Sequence, residues 1–275
     1  MCPVFSGPQN TALSAGGNKA LRSALQGAAS KQGNLPVTID LSRIEALTFD
    51  VGGTVFDWQS TIINAVTDLA AAKETAVDAQ AFARTWRAAM FDHLVAMNSG
   101  NAEIMNADGM HRQALDGMDE AFAELALSPD EKDDLTRAWH HMPAWPGVPE
   151  AIAALRQRYV VSILSILSVP ILVGSSRTAG IDWDLILSCE FLPAYKPEPD
   201  SYQGAARLLA LEPGQVMMVA AHPFDLRGAR AAGLATANLQ PNLSEPSEFL
   251  PPESEPGEFD IEAEDFADLV RQLCP

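Results

Sequence analysis

Polar residues capable of covalent chemistry follow four of the apolar runs of this sequence. Asp50, with Thr54 close behind it, comes after the first run, and Ser165 ends the next. Lys196 lies on the loop after a third run, and a fourth is followed by His222 and, at the start of the next helix, by Asp225. A carboxylate is ionised at neutral pH and can form an ester that water later opens. Asp50 is therefore the candidate nucleophile, and the other residues are candidates to support it.

These residues can act together only if the elements before them are parallel strands. We predict strands where β-branched and apolar residues form short runs, and helices where apolar residues recur with helical period. The predicted strands are residues 43–50, 159–165, 185–189, 216–220 and 234–238, with a last short strand at 259–262. The predicted helices between and after them are residues 149–157, 170–179, 199–209, 225–232 and 265–273. This alternation predicts an α/β fold with a parallel, doubly wound sheet whose strands end at one crevice.

Residues 61–143 interrupt the alternation with a purely helical pattern. Apolar residues recur there at helical spacing, and Pro143, Pro146 and Pro149 mark the end of the section. The sequence therefore predicts a helical insert after the first strand, with residues 41–60 and 144–275 forming the α/β domain.

The composition excludes several classes of partner. The chain of 275 residues carries 36 acidic against 18 basic residues, a formal net charge of −18. Such a surface repels nucleic acid and anionic lipid, so we expect neither as a partner. Residues 159–176 lack charge but contain Pro170, Gly174 and several serines, which favours a strand, a turn and a helix start over a membrane span. Three widely separated cysteines (Cys2, Cys189 and Cys274) indicate a reducing compartment.

The two ends of the chain differ in composition from the rest. Residues 1–40 are predicted to be a flexible extension, which favours a cytoplasmic protein. An organelle transit peptide is the alternative for residues 1–39, since they contain no acid and many serines, and it would place the protein in an organelle matrix. Residues 241–258 are rich in Pro, Glu and Ser, which predicts an exposed acidic loop.

Four motifs in order resemble those of the haloacid dehalogenase (HAD) superfamily. The first is Phe-Asp-Val-Gly-Gly-Thr-Val-Phe-Asp at 49–57, and the second is Leu-Ser at 164–165. The third is Tyr-Lys-Pro-Glu-Pro-Asp-Ser-Tyr at 195–202, and the fourth is Val-Ala-Ala-His-Pro-Phe-Asp at 219–225. The chain looks most like the type II 2-haloacid dehalogenase branch. The resemblance implies a HAD-like Rossmannoid core and identifies residues 61–143 as a helical cap domain.

The resemblance also implies roles for individual residues. Asp50 is the nucleophile, and Lys196 holds it ionised or neutralises a substrate carboxylate. Asp225 pairs with Lys196 and helps to activate the hydrolytic water. Arg87, on a helix of the insert, faces the nucleophile and receives the leaving halide.

Further residues match the substrate-binding positions of the family. Ser165 matches the hydroxyl that binds the substrate carboxylate, and Tyr202 matches a tyrosine that buttresses the site, with core packing as its alternative. Thr54 is expected either to hydrogen-bond Asp50 or to tie down the Gly-Gly turn. His222 stands where the family has Asn or His, and it either orients water or only satisfies local hydrogen bonds.

Three positions depart from family patterns. Ile166 replaces the asparagine that cradles the halide in the dehalogenases, and Gly52 replaces a bulky aromatic residue, so we expect an apolar wall and extra room near Asp50. Gly52 and Ala221 also stand where the superfamily's phosphatases carry acids for magnesium. Because Mg²⁺ needs several oxygen ligands, the sequence predicts no metal and no cofactor.

The predicted activity is metal-independent hydrolytic dehalogenation of a small (S)-2-haloacid. The Ile166 departure leaves two alternatives: a hydrolase of the same design that cleaves another carbon–heteroatom bond of a small carboxylic acid, and a non-catalytic binder of small acids. The expected partner is a small carboxylic acid, and the sequence leaves a homodimer possible.

Overall fold

The structure, a computed structural model, describes residues 40–239 and 254–275. Its strands are β1 (Ala46–Phe49), β2 (Val160–Ser165), β3 (Leu185–Ser188), β4 (Val216–Ala220), β5 (Ala235–Leu239) and β6 (Ile261–Ala263). Its helices are α1 (Trp58–Ala72), α2 (Ala79–Asn98), α3 (Ala107–Asp116), α4 (Pro129–Ala138), α5 (Val148–Leu155), α6 (Val169–Ala179), α7 (Pro199–Leu208), α8 (Pro223–Ala231) and α9 (Phe266–Leu273).

The strands form one parallel sheet in the order β3-β2-β1-β4-β5-β6. β1 lies at the point where the order reverses, with Phe49 opposite Ile163 of β2 on one side and Val219 of β4 on the other. In doubly wound sheets this switch point opens a crevice beyond the carboxyl ends of the strands. The residue that follows Phe49 is therefore placed at the crevice by topology alone.

The central strands are buried on both faces, which explains their nearly continuous apolar sequence. Every residue of β1, β4 and β5 is buried, as helices cover both sides of a parallel sheet. The uncharged stretch 159–176 resolves into β2 and the start of α6, as the sequence predicts. Within the described part of the chain, no helix is both long and apolar enough to cross a bilayer.

Helices α1 to α4 form the insert between β1 and β2. The segments that lead into and out of it lie side by side: Asp57 N donates to Pro143 O, and Trp145 N donates to Val55 O. Helix α1 begins at Trp58, earlier than the predicted start at Thr61, because the Asp57 side chain accepts from Ser60 N and caps it.

The observed architecture confirms the predicted fold class. The strands and helices of the α/β part lie within a few residues of their predicted bounds, the first strand being shorter because only residues 46–49 pair. The last strand begins at Ile261 rather than Phe259. The N-terminal extension at 1–39 and most of the acidic loop at 241–258 lie outside the described residues.

Candidate active site

Asp50 lies directly beyond β1 and is 8% exposed. Both of its carboxylate oxygens are hydrogen-bonded: Oδ2 accepts from Thr54 Oγ1 at 2.9 Å, and Oδ1 lies 3.2 Å from Lys196 Nζ. Thr54 accepts in turn from Ala221 N at 3.0 Å. Thr54 therefore contacts the carboxylate directly, the first of its two predicted roles. His222 Nδ1 lies 3.0 Å from the same Oδ2 atom.

Lys196 connects Asp50 to a second buried carboxylate. Its Nζ donates to Asp225 Oδ2 at 2.7 Å, and Tyr202 Oη donates to Asp225 Oδ1 at 2.6 Å. Lys196, Tyr202 and Asp225 are all at most 2% exposed. Tyr202 is thus both a packed core residue and a hydrogen-bond donor to Asp225. The two alternatives, support of the site and core packing, are therefore compatible. We call Asp50, Thr54, Lys196, Tyr202 and Asp225 the polar floor.

The charges of the polar floor determine its protonation. Burial disfavours the Asp50 carboxylate, but the Lys196 charge and the His222 hydrogen bond outweigh this and hold the pKa of Asp50 well below its usual value. Burial raises the pKa of Asp225, and the Asp50 charge adds to that effect against the attraction of Lys196. Burial alone would lower the pKa of Lys196, but the two carboxylates raise it. Asp50 is therefore ionised beside a cationic lysine, as a nucleophile requires.

Arg87 reaches the same cavity from helix α2 of the insert. It is 7% exposed, and it lines the cavity together with Asp50, Lys196 and Asp225. Its guanidinium carbon lies 4.5 Å from the Trp58 ring centroid, with Phe91 on the same helix at 4.9 Å. Aromatic faces attract and orient a guanidinium. The cation is thus held by aromatic side chains at the cavity that residues of the polar floor also line.

The loop after β2 contributes Ser165 and Ile166 to the cavity. The Ser165 hydroxyl accepts from Leu167 N at 3.2 Å, which fixes the turn that brings both residues inward. The side chains that complete the cavity are apolar: Phe91, Leu94, Ile166, Leu167 and Phe224, which we call the apolar wall.

The extra room expected near Asp50 stays a prediction, and the neighbour of Gly52 in the cavity is Leu167. A Cβ added at Gly52 would lie 3.6 Å from Leu167 Cδ1, so the leucine already occupies the space beside the glycine. The room for a water-sized molecule between the polar floor and the apolar wall is only about 20 Å³. The expected apolar wall is present, and it contains four apolar side chains in addition to Ile166.

Every residue of the polar floor is a candidate site residue on sequence grounds. Most residues of the apolar wall were not identified from the sequence. Phe91 follows Arg87 by one helical turn, and Phe224 precedes Asp225 within the fourth motif, so both carried a positional signal. Leu94 carried none beyond the helical periodicity. Across residues 40–239 and 254–275, no group of three or more His, Cys, Asp or Glu side chains is arranged to hold a metal ion.

Comparisons with known proteins agree with this arrangement. The family model described as haloacid dehalogenase-like hydrolase matches residues 44–233. An (S)-2-haloacid dehalogenase of Xanthobacter autotrophicus is 28% identical over 204 residues, which cover 71% of this chain and 75% of that protein. The (S)-2-haloacid dehalogenase 4A of Burkholderia cepacia is 27% identical, over 76% of this chain and 88% of its own.

Solved structures give the same result. The crystal structure of a defluorinating L-2-haloacid dehalogenase superposes with a TM-score of 0.76 and 36% identity, and the match covers 84% of this chain and 96% of that one. A second L-2-haloacid dehalogenase gives a TM-score of 0.75 and 33% identity, over 84% and 98% of the two chains. Because the family model matches residues 44–233, more than half of the chain, the chain belongs to the haloacid dehalogenase-like hydrolase family.

Proposed function

We propose that this protein is a metal-independent hydrolase that removes the halogen from a small (S)-2-haloacid through an ester on Asp50. The observation that carries the proposal is that the buried, ionised Asp50 carboxylate and the Arg87 side chain line one cavity. The similar proteins named as 2-haloacid dehalogenases support the same chemistry.

In the first half-reaction, an Asp50 oxygen attacks the carbon that bears the halogen, with inversion. The bond to the halogen breaks, and the halide leaves toward Arg87. Ser165 and Lys196 are the groups available to bind the substrate carboxylate, one as a hydroxyl donor and one as a cation. The apolar wall excludes water, which strengthens each of these electrostatic interactions.

In the second half-reaction, water attacks the carbonyl carbon of the ester. Asp225 is the base for this step because its pKa is raised, which makes its carboxylate a better proton acceptor than an ordinary aspartate. It lies hydrogen-bonded to Lys196 at the edge of the same cavity. The products are a 2-hydroxy acid and free Asp50.

The donor set supports the proposal of metal independence. Gly52 and Ala221 offer no side-chain oxygen at the positions where acids would complete a magnesium site. Lys196 Nζ stands beside Asp50 Oδ1, where a cation would otherwise bind. The lysine thus supplies a fixed positive charge next to the nucleophile.

We further propose that residues 61–143 form a cap domain over a core made of residues 41–60 and 144–275, because Arg87, Phe91 and Leu94 close the cavity from the insert. A cytoplasmic homodimer remains our proposal for location and assembly, with an organelle matrix as the alternative if residues 1–39 are a transit peptide.

A second candidate function rests on Ile166. A wall without an amide donor also suits a hydrolase that cleaves another carbon–heteroatom bond of a small carboxylic acid. Incubation with a panel of 2-substituted acids, with chloride, fluoride and ammonia measured separately, distinguishes the two. A protein that binds these acids and releases nothing would be a binder rather than an enzyme.

The ester route is tested by intact mass spectrometry after turnover in oxygen-18 water. We expect label in Asp50 after several turnovers, because water attacks the carbonyl of the ester. The hydroxyl oxygen of the first product molecule should come from Asp50 and carry no label. Label in the product from the first turnover, with none in Asp50, would show that water attacks the substrate directly.

A further inference from the structure

The two oxygens of Asp50 are held in different ways. Oδ2 accepts from Thr54 Oγ1 at 2.9 Å and lies 3.0 Å from His222 Nδ1. Oδ1 faces Lys196 Nζ at the longer distance of 3.2 Å, and this ammonium is shared with Asp225. The carboxylate is therefore not symmetric with respect to its surroundings.

The protonation of His222 Nδ1 follows from the charge of the neighbouring Asp50 carboxylate. Asp50 is ionised, and a carboxylate without a proton can only accept. His222 Nδ1 therefore carries a proton and donates it to Oδ2. His222 is 3% exposed, and Thr54 is anchored by Ala221 N, so both donors are fixed in place before any substrate arrives.

We propose that Thr54 and His222 form the oxyanion hole of ester hydrolysis, with Oδ1 as the attacking oxygen and Oδ2 as the carbonyl oxygen of the ester. This inference rests on the proposed function. Donors on the attacking oxygen would weaken it as a nucleophile, whereas donors on the other oxygen act when charge develops there. Oδ2 has the two close contacts, to Thr54 and His222. Oδ1 has the longer contact to Lys196 Nζ, which lies closer to Asp225.

Atoms and electrons balance in both half-reactions. A lone pair of Oδ1 forms the bond to the substrate carbon, and the halide leaves with the bonding electrons. Water adds to Asp50 Cγ and gives a proton to Asp225, while the carbonyl π electrons move to Oδ2 and are stabilised by Thr54 and His222. The carbonyl then re-forms, and the bond between Cγ and Oδ1 breaks. Oδ1 leaves with the product and takes a proton from Lys196.

The remaining protons return the site to its starting state. The proton still on the water-derived oxygen restores the Lys196 ammonium, and the proton on Asp225 passes to solvent. Each turnover thus consumes one water and releases one halide and one proton, as hydrolysis of a carbon–halogen bond requires.

The test separates the two half-reactions in single-turnover experiments with 2-chloropropionate. His222→Leu removes the donor at similar volume, and Thr54→Val removes the hydroxyl. We expect each change to slow release of the hydroxy acid by roughly 10²-fold, while first-turnover chloride release changes by less than ~10-fold. The protein should then carry a transient mass increase from the accumulated ester. His222→Asn retains an N–H near the place of Nδ1 and should restore most of the hydrolysis rate.

Other outcomes contradict the proposal. If chloride and hydroxy acid slow together in His222→Leu with no ester detected, His222 acts in the displacement or only positions Asp50. If neither rate changes, it has no part in the chemistry. Thermal unfolding midpoints, together with the His222→Asn variant, separate loss of fold from loss of the donor. Wild-type protein that releases no halide from chloroacetate, fluoroacetate or 2-chloropropionate overturns the proposed function, and this inference with it.

Discussion

The polar floor and the apolar wall of the cavity differ in the type of side chain they contain and in the segments of the chain that supply it. The floor comes from the α/β part of the chain, where strand ends and the loops after them bring Asp50, Lys196 and Asp225 into one hydrogen-bonded group. The wall comes partly from helix α2 of the insert, through Phe91 and Leu94, and partly from the loop after β2 and the first turn of α8.

The difference indicates which of the two regions tolerates substitution. Buried charges are costly unless they are paired, so removing one member of the floor leaves another without its partner. Apolar side chains of the wall pack without such obligations and tolerate exchange at similar volume. In the proposed mechanism, the floor therefore determines the reaction, and the wall determines which acids and leaving groups are accepted. Changes to each region test this division.

The largest effect is expected from Asp50→Asn, which removes the nucleophile from the floor. An amide is a poor nucleophile, and turnover should fall by at least roughly 10⁴-fold. Steady-state halide release measures this, with intact mass spectrometry to exclude deamidation back to Asp. Asp57→Asn is the matched control, because asparagine also caps helices well. Activity that survives in the Asp50→Asn protein would remove the basis of the mechanism.

A change to Arg87 tests the link between insert and floor. Arg87→Lys keeps the positive charge but loses the planar set of donors, so we expect kcat for dehalogenation to fall by roughly 10²-fold. Arg84→Lys on the same helix is the control, since Arg84 does not line the cavity. Equal losses in both variants would point to a general defect of the insert rather than to leaving-group stabilisation.

A hydrogen-bond donor introduced into the apolar wall should give the wall a polar role like that of the floor. Ile166→Asn introduces an amide that can donate to the departing halide, provided that Leu167 lets it point inward. A charge-assisted hydrogen bond contributes about 1.5–3 kcal/mol, so activity on 2-chloropropionate should rise by roughly one to two powers of ten. Ile166→Leu keeps the wall apolar and should not share the gain. If the Ile166→Asn variant is folded yet loses activity on the best native substrate, the wall serves another leaving group.

The pH profile tests the asymmetry within the floor. The proposed mechanism requires both Asp50 and Asp225 to be ionised, and the pKa of Asp50 is lowered while that of Asp225 is raised. As pH falls, Asp225 is protonated first. Because it acts after the halide has left, the acid limb of the ester-hydrolysis rate, measured as release of the hydroxy acid in a single turnover, should lie above 3.8, the ordinary value for aspartate. Tyr202→Phe removes a donor to the charged form of Asp225 and should move this limb to higher pH by up to about one unit. A limb that stays in place or moves lower contradicts the assignment of Asp225 as base.

The smallest effect is expected from metal removal. Because the floor contains its own cation in Lys196, activity on the true substrate should be unchanged in excess EDTA. Halide release before and after chelation measures this. A loss that magnesium specifically restores would instead indicate a metal-dependent site.

The amino-acid sequence was sufficient to predict the floor, and the reason is topological. Asp50 ends a predicted strand, Lys196 and Asp225 lie just beyond two others, and parallel strands end at the same edge of a sheet. The local pattern of apolar runs and turns therefore placed residues distant in sequence at one crevice. Tyr202 was identified by the family resemblance. The absence of acidic residues at Gly52 and Ala221 could also be recognised from the sequence, since it depends only on which residue types stand at these positions.

Only the tertiary structure decided how the cavity is closed and how Asp50 is oriented. Leu167 fills the space beside Gly52, and Phe91 and Leu94 enter from the insert. The placing of these side chains depends on how α2 packs over the sheet, which helical periodicity does not specify. The pairing of Thr54 and His222 with one carboxylate oxygen, and of Lys196 with the other, depends on side-chain torsions. Local sequence thus determined which groups reach the site, and long-range packing determined which atoms meet there.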